Sequence, residues 1–455
     1  MISEIHTEDL GELNWEQRLL RNANRKMDLK PEYQELKFTL HRKLLDRINL
    51  DTLASIENDR IRDEVREAVL TLVDSEPNLL TASEKQQISN EVLHEVFGLG
   101  PIEPLLQDST ISDILVNGHR QVYVERNGLL ELTSVRFHDD GHLLRIIDRI
   151  VSQVGRRVDE SNPMVDARLA DGSRVNAIIP PLAVDGPLLS IRRFGTDKLM
   201  PADLVKRNAV TPGMMQLLEA AVKARLNIIV SGGTGAGKTT LLNALSVFIS
   251  PKERIVTIED AAELQLKQPH LARLETRPAN VEGNGCVRQR QLLVNSLRMR
   301  PDRIIVGEVR AEEALDMLQA MNTGHDGSLT TVHANSPRDA ISRLEVMVSL
   351  ANANMHLTAI RQQIASAVQI LVQASRMSDG TRRVTSITEV TGIETDIVTL
   401  QELFVFEKRG VSPEGKVLGR FAATGILPKF NEKLLAAGIR LPGELYDEVV
   451  PIGPE

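Results

Sequence analysis

A parallel α/β domain, preceded by a smaller α+β domain and a helical N-terminal bundle, is the fold class that the sequence predicts. Two observations carry the prediction. From about residue 211 onwards, short apolar runs of strand length alternate with helix-length amphipathic segments, the pattern of a parallel sheet covered by helices. Between residues 100 and 194 the apolar spacing shortens towards period two and is punctuated by hairpin turns, which argues for strands around a single helix.

The chain has 455 residues, 42% hydrophobic and 25% charged, with aromatics at only 3%. That length suggests two or three domains with largely aliphatic cores. The net charge of -8 argues against a chain built as a whole to bind nucleic acid. The single cysteine, Cys286, excludes an intrachain disulfide framework and a tetracysteine zinc module, and fits a reducing, cytoplasmic setting. The start, Met1-Ile2-Ser3-Glu4, lacks a basic, then apolar, leader. No stretch is apolar for long enough to span a bilayer, so attachment to a membrane is expected only through partners.

In chain order, residues 1–30 read as a flexible N-terminus with a short helical pattern near Trp15–Leu20. Residues 31–99 read as a helical bundle. Its apolar stripes are Leu36, Leu40 and Leu44; Ile61, Val65, Val69 and Leu72; and Ile88, Val92 and Val96. Thr81 with Glu84 three residues later forms a capping box for the last of these helices. Residues 100–194 form the α+β domain. One hairpin turns at Asn127-Gly128, a helix runs from Gly141 to Val154, a second hairpin turns at Asp171-Gly172, and a last strand covers Leu188–Phe194. Residues 195–210, with Gly195, Pro201 and several charges, read as an interdomain linker. The α/β domain occupies 211–455. Its expected strands are Asn227–Val230, Arg254–Ile258, Ile304–Val306 and Leu329–Val332; its expected helices are Met214–Val222, Leu241–Phe248 and Ala311–Met321. Beyond Leu350 the pattern suggests a helix over Leu357–Ala367 and strands over Gln369–Ala374 and Arg383–Thr391; after about 410 it is not legible.

The stretch Gly232-Gly233-Thr234-Gly235-Ala236-Gly237-Lys238-Thr239 carries the chemistry. It matches the phosphate-binding pattern G-x-x-x-x-G-K-[ST] and sits where a strand ends and a helix begins. Glycines let backbone N–H groups approach phosphates closely, and the helix N-terminus adds partial positive charge. Lys238 is placed to reach the β- and γ-phosphates, Thr239 to offer a hydroxyl to Mg²⁺, and Thr240 to extend the nucleotide-binding stretch. The motif and its context predict a P-loop NTPase domain of RecA-like type that uses ATP and Mg²⁺.

Such a site needs a carboxylate near the metal or the attacking water. Glu259-Asp260 and Glu308 both follow apolar strands, at the strand ends where open α/β sheets bind ligands. Gly307 occupies the position directly after Val306, so Glu308 is the candidate for both metal and water. Spacing leaves Glu259 and Glu308 open as general base. Downstream, His333 follows the strand Leu329–Val332 and is a candidate γ-phosphate contact, with His325 a weaker one. The α+β domain contributes Arg168, Arg174, Arg192 and Arg193 near its turns, and arginine beside a transferred phosphate stabilises developing charge.

These motifs resemble the type II / type IV secretion ATPase superfamily, and within it the CpaF/TadA branch that serves tight-adherence (Flp) pili. The likeness rests on Phe97-Gly98-Leu99-Gly100-Pro101-Ile102, Asp166-Ala167-Arg168-Leu169-Ala170-Asp171-Gly172-Ser173-Arg174 and Ser190-Ile191-Arg192-Arg193-Phe194. It extends through Ile258-Glu259-Asp260-Ala261-Ala262-Glu263-Leu264, Leu297-Arg298-Met299-Arg300-Pro301-Asp302-Arg303, Gly307-Glu308-Val309-Arg310 and the run from Asn322 to Asn335. The resemblance implies Walker A roles for Lys238 and Thr239, an aspartate-box role for Glu259, an atypical Walker B role for Glu308 and a histidine-box role for His333. It implies that Arg174, and Arg192 or Arg193, reach the nucleotide from the preceding domain. It also implies a homohexamer at the cytoplasmic face of the inner membrane, acting on a platform protein. The type II branch usually carries a tetracysteine zinc module, which this chain cannot build, and Gly285-Cys286-Val287-Arg288 departs from the acidic and hydroxyl residues expected there. The alternatives are a nucleic-acid translocase and a nucleotide-gated regulator.

Overall fold

The computed structural model describes residues 39, 66–71, 81–126, 128–194, 199–277, 279 and 284–453. Residues 1–30, read from sequence as a flexible N-terminus, the first helical stripe and most of the second lie outside the described residues. The chain forms two compact units, residues 1–196 and 197–455, and the boundary falls within the stretch read as a linker.

In the first unit, helix α1 (Ala82–Phe97) begins with the predicted capping box. The Glu84 backbone N–H donates to Thr81 Oγ1 at 3.3 Å, and the Thr81 N–H donates to Glu84 Oε2 at 2.8 Å. Six strands follow: β1 (Ile111–Asn117), β2 (Gln121–Arg126), β3 (Leu129–Leu132), β4 (Met164–Arg168), β5 (Arg174–Ile178) and β6 (Leu188–Arg192). They form one antiparallel sheet in the order β3-β2-β1-β6-β5-β4. Helix α2 (Asp140–Gln153) sits between β3 and β4 in the chain and buries Leu143, Ile146, Ile147, Ile150 and Val151. These pack with Ile114, Val116, Val122, Val124, Val175, Leu189 and Ile191 in one aliphatic core. Gly128 and Gly172 take φ of +83° and +91° at the two hairpin turns, where a side chain would be strained.

The second unit begins with a packed segment. Pro201–Lys206 forms a short helix whose Leu204 is buried, and the Ala209 carbonyl accepts from Val384 N–H at 2.8 Å. Helix α3 (Pro212–Lys223) follows, started by Thr211, whose side chain caps the Met214 N–H. The ten strands are β7 (Ile228–Gly232), β8 (Ile255–Glu259), β9 (Leu271–Glu275), β10 (Arg303–Val309), β11 (Leu329–Val332), β12 (Ile370–Arg376), β13 (Arg382–Glu394), β14 (Ile397–Val411), β15 (Val417–Ala423) and β16 (Val449–Ile452). They form one sheet, ordered β16-β15-β14-β13-β12-β7-β11-β10-β8-β9. β12, β7, β11, β10, β8 and β9 run parallel, and β13 to β16 extend the sheet antiparallel. Strands β7 and β8 are buried along their whole length, as expected of a parallel sheet covered on both faces. The helices are α4 (Lys238–Ser246), α5 (Gln289–Ser296), α6 (Glu313–Asn322), α7 (Pro337–Ala351), α8 (Leu357–Ala367) and α9 (Asn431–Ala436). One face of the sheet packs with α3 and α4, the other with α6, α7 and α8.

The sequence reading had no strand at Leu271–Glu275 and no helix at Gln289–Ser296 or Pro337–Ala351. The region after 410 is ordered: β15, α9, β16 and the segments joining them cover the α3 side through Phe421, Phe430, Leu434, Leu445 and Tyr446. Glu448 fixes this segment by accepting from Thr211 Oγ1 and from the Gly213 N–H at 3.1 Å, at the start of α3. Among the described residues, no helix is long and apolar enough to cross a membrane.

Candidate functional site

Because β7, β11, β10 and β8 are parallel and adjacent, their C-terminal ends share one edge of the sheet. The phosphate loop leaves β7, His333 follows β11, Glu308 lies near the end of β10 and Glu259 ends β8. The loop and three residues far apart in sequence therefore meet at one edge, as the strand-end reading requires.

The loop is shaped by its glycines and its own lysine. Gly235 and Gly237 adopt φ of +70° and +90°. A Cβ at Gly232 would collide with the Ala374 carbonyl oxygen of β12. Lys238 Nζ donates to the carbonyls of Gly232 and Gly233, each at 3.0 Å, and lies 3.3 Å from His333 Nε2. Burial lowers the Lys238 pKa, and the nearby Glu308 charge opposes that shift. Gln373 on β12 ties the loop to the histidine segment, accepting from Ser231 Oγ and donating to the Ala334 carbonyl at 3.1 Å.

Glu308 joins three groups. Its Oε1 lies 2.7 Å from His333 Nε2, and its Oε2 accepts from Arg310 Nε at 2.8 Å. Arg310 Nη1 is also 3.6 Å from Asp260. The His333 pKa is lowered by burial, with Glu308 opposing and Lys238 and Arg310 reinforcing. Burial pulls the Arg310 pKa down, but its contacts with Glu308 and Asp260 leave it raised.

Glu259 is a different kind of carboxylate. It is 3% exposed, and its Oε1 accepts from the N–H groups of Glu263 at 2.9 Å and Leu264 at 2.8 Å. Its Oε2 is buried without a hydrogen-bond partner. Burial pushes its pKa from 4.5 to about 7 against the pull of those two N–H groups. The structure also accounts for Gly307. A Cβ there would stand 2.8 Å from Glu259 Cγ, closer than side-chain carbons approach, so the glycine is where the Glu259 side chain crosses from β8.

The structure separates the two histidines that the sequence offered. His325 precedes β11 and His333 follows it, so they lie at opposite ends of that strand. Asn227 fixes the loop holding His325: its side-chain oxygen accepts from Gly327 N–H at 2.8 Å and Ser328 N–H at 3.0 Å. Three residues at the site were given no role by the sequence reading. Arg310 was visible only as part of a quoted motif, and Gln373 and Arg382 carried no local signal. Arg382 Nε donates to the Gly235 carbonyl at 2.9 Å.

In the first unit, Arg168, Arg174 and Arg192 stand side by side across β4, β5 and β6. They share one face, because each alternates with a buried residue, Ala167, Val175 or Ile191. Arg192 Nε is 3.1 Å from Asp113, and Arg174 is 3.7 Å from Asp166. Arg193 points elsewhere: its Nη1 donates to the carbonyls of Asp108 and Ile111, the latter at 3.1 Å.

Residues 95–412 match the family described as Type II/IV secretion system protein. The chain belongs to this family. Among curated proteins, a putative conjugal transfer protein of Mycobacterium tuberculosis is 43% identical over 301 residues, 64% of this chain and 84% of the relative. The type IV secretion system protein VirB11 of Bartonella quintana is 30% identical over 342 residues, 66% of this chain and 94% of the relative. Among solved structures, the VirB11 ATPase from the Brucella suis type IV secretion system is 29% identical, covering 63% of this chain and 94% of that chain, at a TM-score of 0.35.

The donor set at the sheet edge is hard oxygen: the Thr239 hydroxyl, the Glu308 carboxylate and the unpartnered oxygen of Glu259. That chemistry fits Mg²⁺, which keeps several waters and takes only one or two protein carboxylates alongside substrate phosphates. Among the described residues there is no cluster of three or more His, Cys, Asp or Glu that could hold a metal by itself.

Proposed function

We propose that this chain is an ATP-hydrolysing motor of a type IV secretion or pilus-assembly machine, and of the CpaF/TadA kind within the family. It acts as a homohexamer at the cytoplasmic face of the inner membrane, moving a platform protein there. The observation that carries the reading is the contact chain from Lys238 through His333 to Glu308, at the end of a strand–loop–helix built to hold phosphates.

The residues divide the work by position. Backbone N–H groups from Gly233 to Thr240 cradle the phosphates, and Lys238 neutralises the β/γ end. Thr239 and Glu308 would hold Mg²⁺, which would supply charge neutralisation to the phosphates. Glu308 is the general base, because geometry ranks before basicity. The contact from Glu308 to His333, and from His333 to Lys238, supports this assignment. Arg310 and His333 orient it. Glu259 sits behind it, packed against Gly307, and modulates the local charge.

Arg174 and Arg192 supply positive charge to the transferred phosphoryl group, from their own subunit or a neighbouring one in the ring. Cations placed directly opposite one another across a sheet repel. Asp113 and Asp166 offset part of that repulsion, and a phosphate beside the row would offset more. Arg193, committed to two backbone carbonyls, positions the Asp108–Ile111 turn instead. Arg174→Ala and Arg192→Ala each lower turnover about tenfold or more, a loss of roughly 1.4 kcal/mol of transition-state stabilisation, and ATP affinity changes less. Full turnover in both variants reduces these arginines to surface ion pairs.

The direct test of the central reading is Lys238→Ala. The purified variant keeps its circular dichroism and loses ATP turnover. Turnover at the wild-type rate refutes a P-loop ATPase. Loss of pili rather than of DNA transfer on deletion in cells separates the CpaF/TadA assignment from a conjugation role.

A further inference from the structure

Lys238, His333 and Glu308 all lie on the β11–β10 side of the phosphate loop, which fixes where the terminal phosphate goes. A nucleotide is long, so its nucleoside must leave the loop in another direction. On the other flank of β7 stands β12, paired in parallel through Ala374 opposite Gly232. The β12–β13 hairpin carries two arginines to the loop. Arg376 and Arg382 are direct cross-strand partners. Arg382 Nε holds the Gly235 carbonyl at 2.9 Å. Its Cδ lies 3.4 Å, and Arg376 Nη1 3.7 Å, from where a Cβ would stand on Gly237 and Gly235 respectively. Both arginines thus border the second half of the loop, the half whose amides face the α- and β-phosphates.

We propose that Arg376 and Arg382 form the nucleoside subsite of this ATPase, with a guanidinium stacking on the purine. The proposal rests on the reading of Gly232–Thr240 as an ATP site. Guanidinium is the side-chain group suited to this task, since it stacks flat on aromatic faces. The pair is also held in place. Asp379, in the intervening turn, accepts from the Thr381 N–H at 3.0 Å and from the Val417 N–H of β15 at 2.8 Å. Gly380 completes that turn at φ +81°. The next residue, Arg383, turns to the opposite face, where it lies over the Phe406 ring at 4.7 Å. This orientation is set by strand alternation, so Arg382 is directed to the loop side by the same register that buries Arg383.

The subsite predicts a dissection of affinity that loop scaffolding alone does not. In the full chain, Arg376→Ala and Arg382→Ala are compared with wild type for binding of Mg²⁺–ATP and of Mg²⁺–tripolyphosphate, the latter having the phosphates without the nucleoside. Thermal unfolding of each variant reports whether the fold is kept. The expected result is an ATP dissociation constant raised about fivefold to thirtyfold, the range of a stacked cation–π contact, with tripolyphosphate binding within about twofold of wild type. Arg382→Ala also removes the hydrogen bond to the Gly235 carbonyl, so Arg376→Ala is read beside it. Equal losses for ATP and tripolyphosphate in both variants mean that the arginines only shape the loop, and that overturns the subsite. Unchanged ATP binding in both overturns it as well. A wild-type chain that binds neither ligand refutes the ATP-site reading instead, so the two failures are distinct.

Discussion

Replacing Glu259 by glutamine tests the electrostatics of the sheet edge through stability. Burial raises the Glu259 pKa from 4.5 to about 7, so the folded chain holds its proton more tightly than the unfolded chain does. The sign follows directly: between about pH 4.5 and pH 7 the folded state binds more protons, so stability falls as pH rises through that window. A shift of about 2.5 pH units at roughly 1.36 kcal/mol per unit costs about 3 kcal/mol once the group is ionised. Glutamine keeps an oxygen for the Glu263 and Leu264 N–H groups and never ionises. Glu259→Gln is therefore expected to match wild type near pH 5 and to exceed it by up to about 3 kcal/mol at pH 8. At roughly 2 °C or more per kcal/mol for a domain of this size, that is about 6 °C in unfolding midpoint. The assay is thermal unfolding of nucleotide-free protein from pH 5 to pH 9, with ATP turnover measured alongside and expected to fall. A gap that stays constant with pH, or no gap at pH 8, refutes the claim that an unpartnered buried carboxylate is the source of the cost.

Two further substitutions probe the same edge. Glu308→Gln retains ATP binding and loses turnover by about a hundredfold or more, the scale of a lost general base; single-turnover assays check it, and normal turnover passes the role to Glu259. Gly307→Ala brings a methyl to 2.8 Å from Glu259 Cγ, and because that side chain is anchored by two N–H groups the strain costs about 1–3 kcal/mol; denaturant unfolding at pH 8 measures it, and the double variant Gly307→Ala with Glu259→Ala recovers part of the loss.

What the sequence disclosed depended on how locally each feature is encoded. The phosphate loop was legible because its function needs contiguous residues: glycines for positive φ, then Lys238 and Thr239 on one helix turn. Glu308 was legible because a carboxylate after an apolar run sits at a strand end whatever the neighbouring strands are. The purpose of Gly307 was not, because it exists only where β8 lies beside β10 and Glu259 crosses over. The two histidines show the same limit. They flank a four-residue strand, which at about 3.3 Å per residue separates them by more than 10 Å, whereas in sequence His325 was only the weaker of two candidates. The strands after residue 395 escaped because their turns and partners, rather than a clean apolar alternation, define them: β14 alone mixes buried, half-buried and exposed residues without a regular period.

The position of His333 links the loop to the base in a way that no single residue does. Its Nε2 lies 3.3 Å from Lys238 Nζ and 2.7 Å from Glu308 Oε1. A neutral imidazole nitrogen is either a donor or an acceptor. With the proton elsewhere, Nε2 accepts from Lys238 and leaves Glu308 Oε1 unsatisfied; with the proton on it, Nε2 donates to Glu308 and Lys238 loses a partner. Both groups cannot be served together, and Glu308 Oε1 is indeed buried without a hydrogen bond of good geometry. Lys238 meanwhile leans on two carbonyls of its own loop, substitutes for the phosphates it is built to meet. In the proposed mechanism, phosphates that draw Lys238 onto themselves would free His333 to donate to Glu308, fixing the carboxylate only when the loop is filled. Occupancy of the loop and readiness of the base then become one event. This also explains why Glu308→Gln is expected to spare binding: the amide alters the partner that His333 turns to after Lys238 has been engaged, and not the grip of the loop itself.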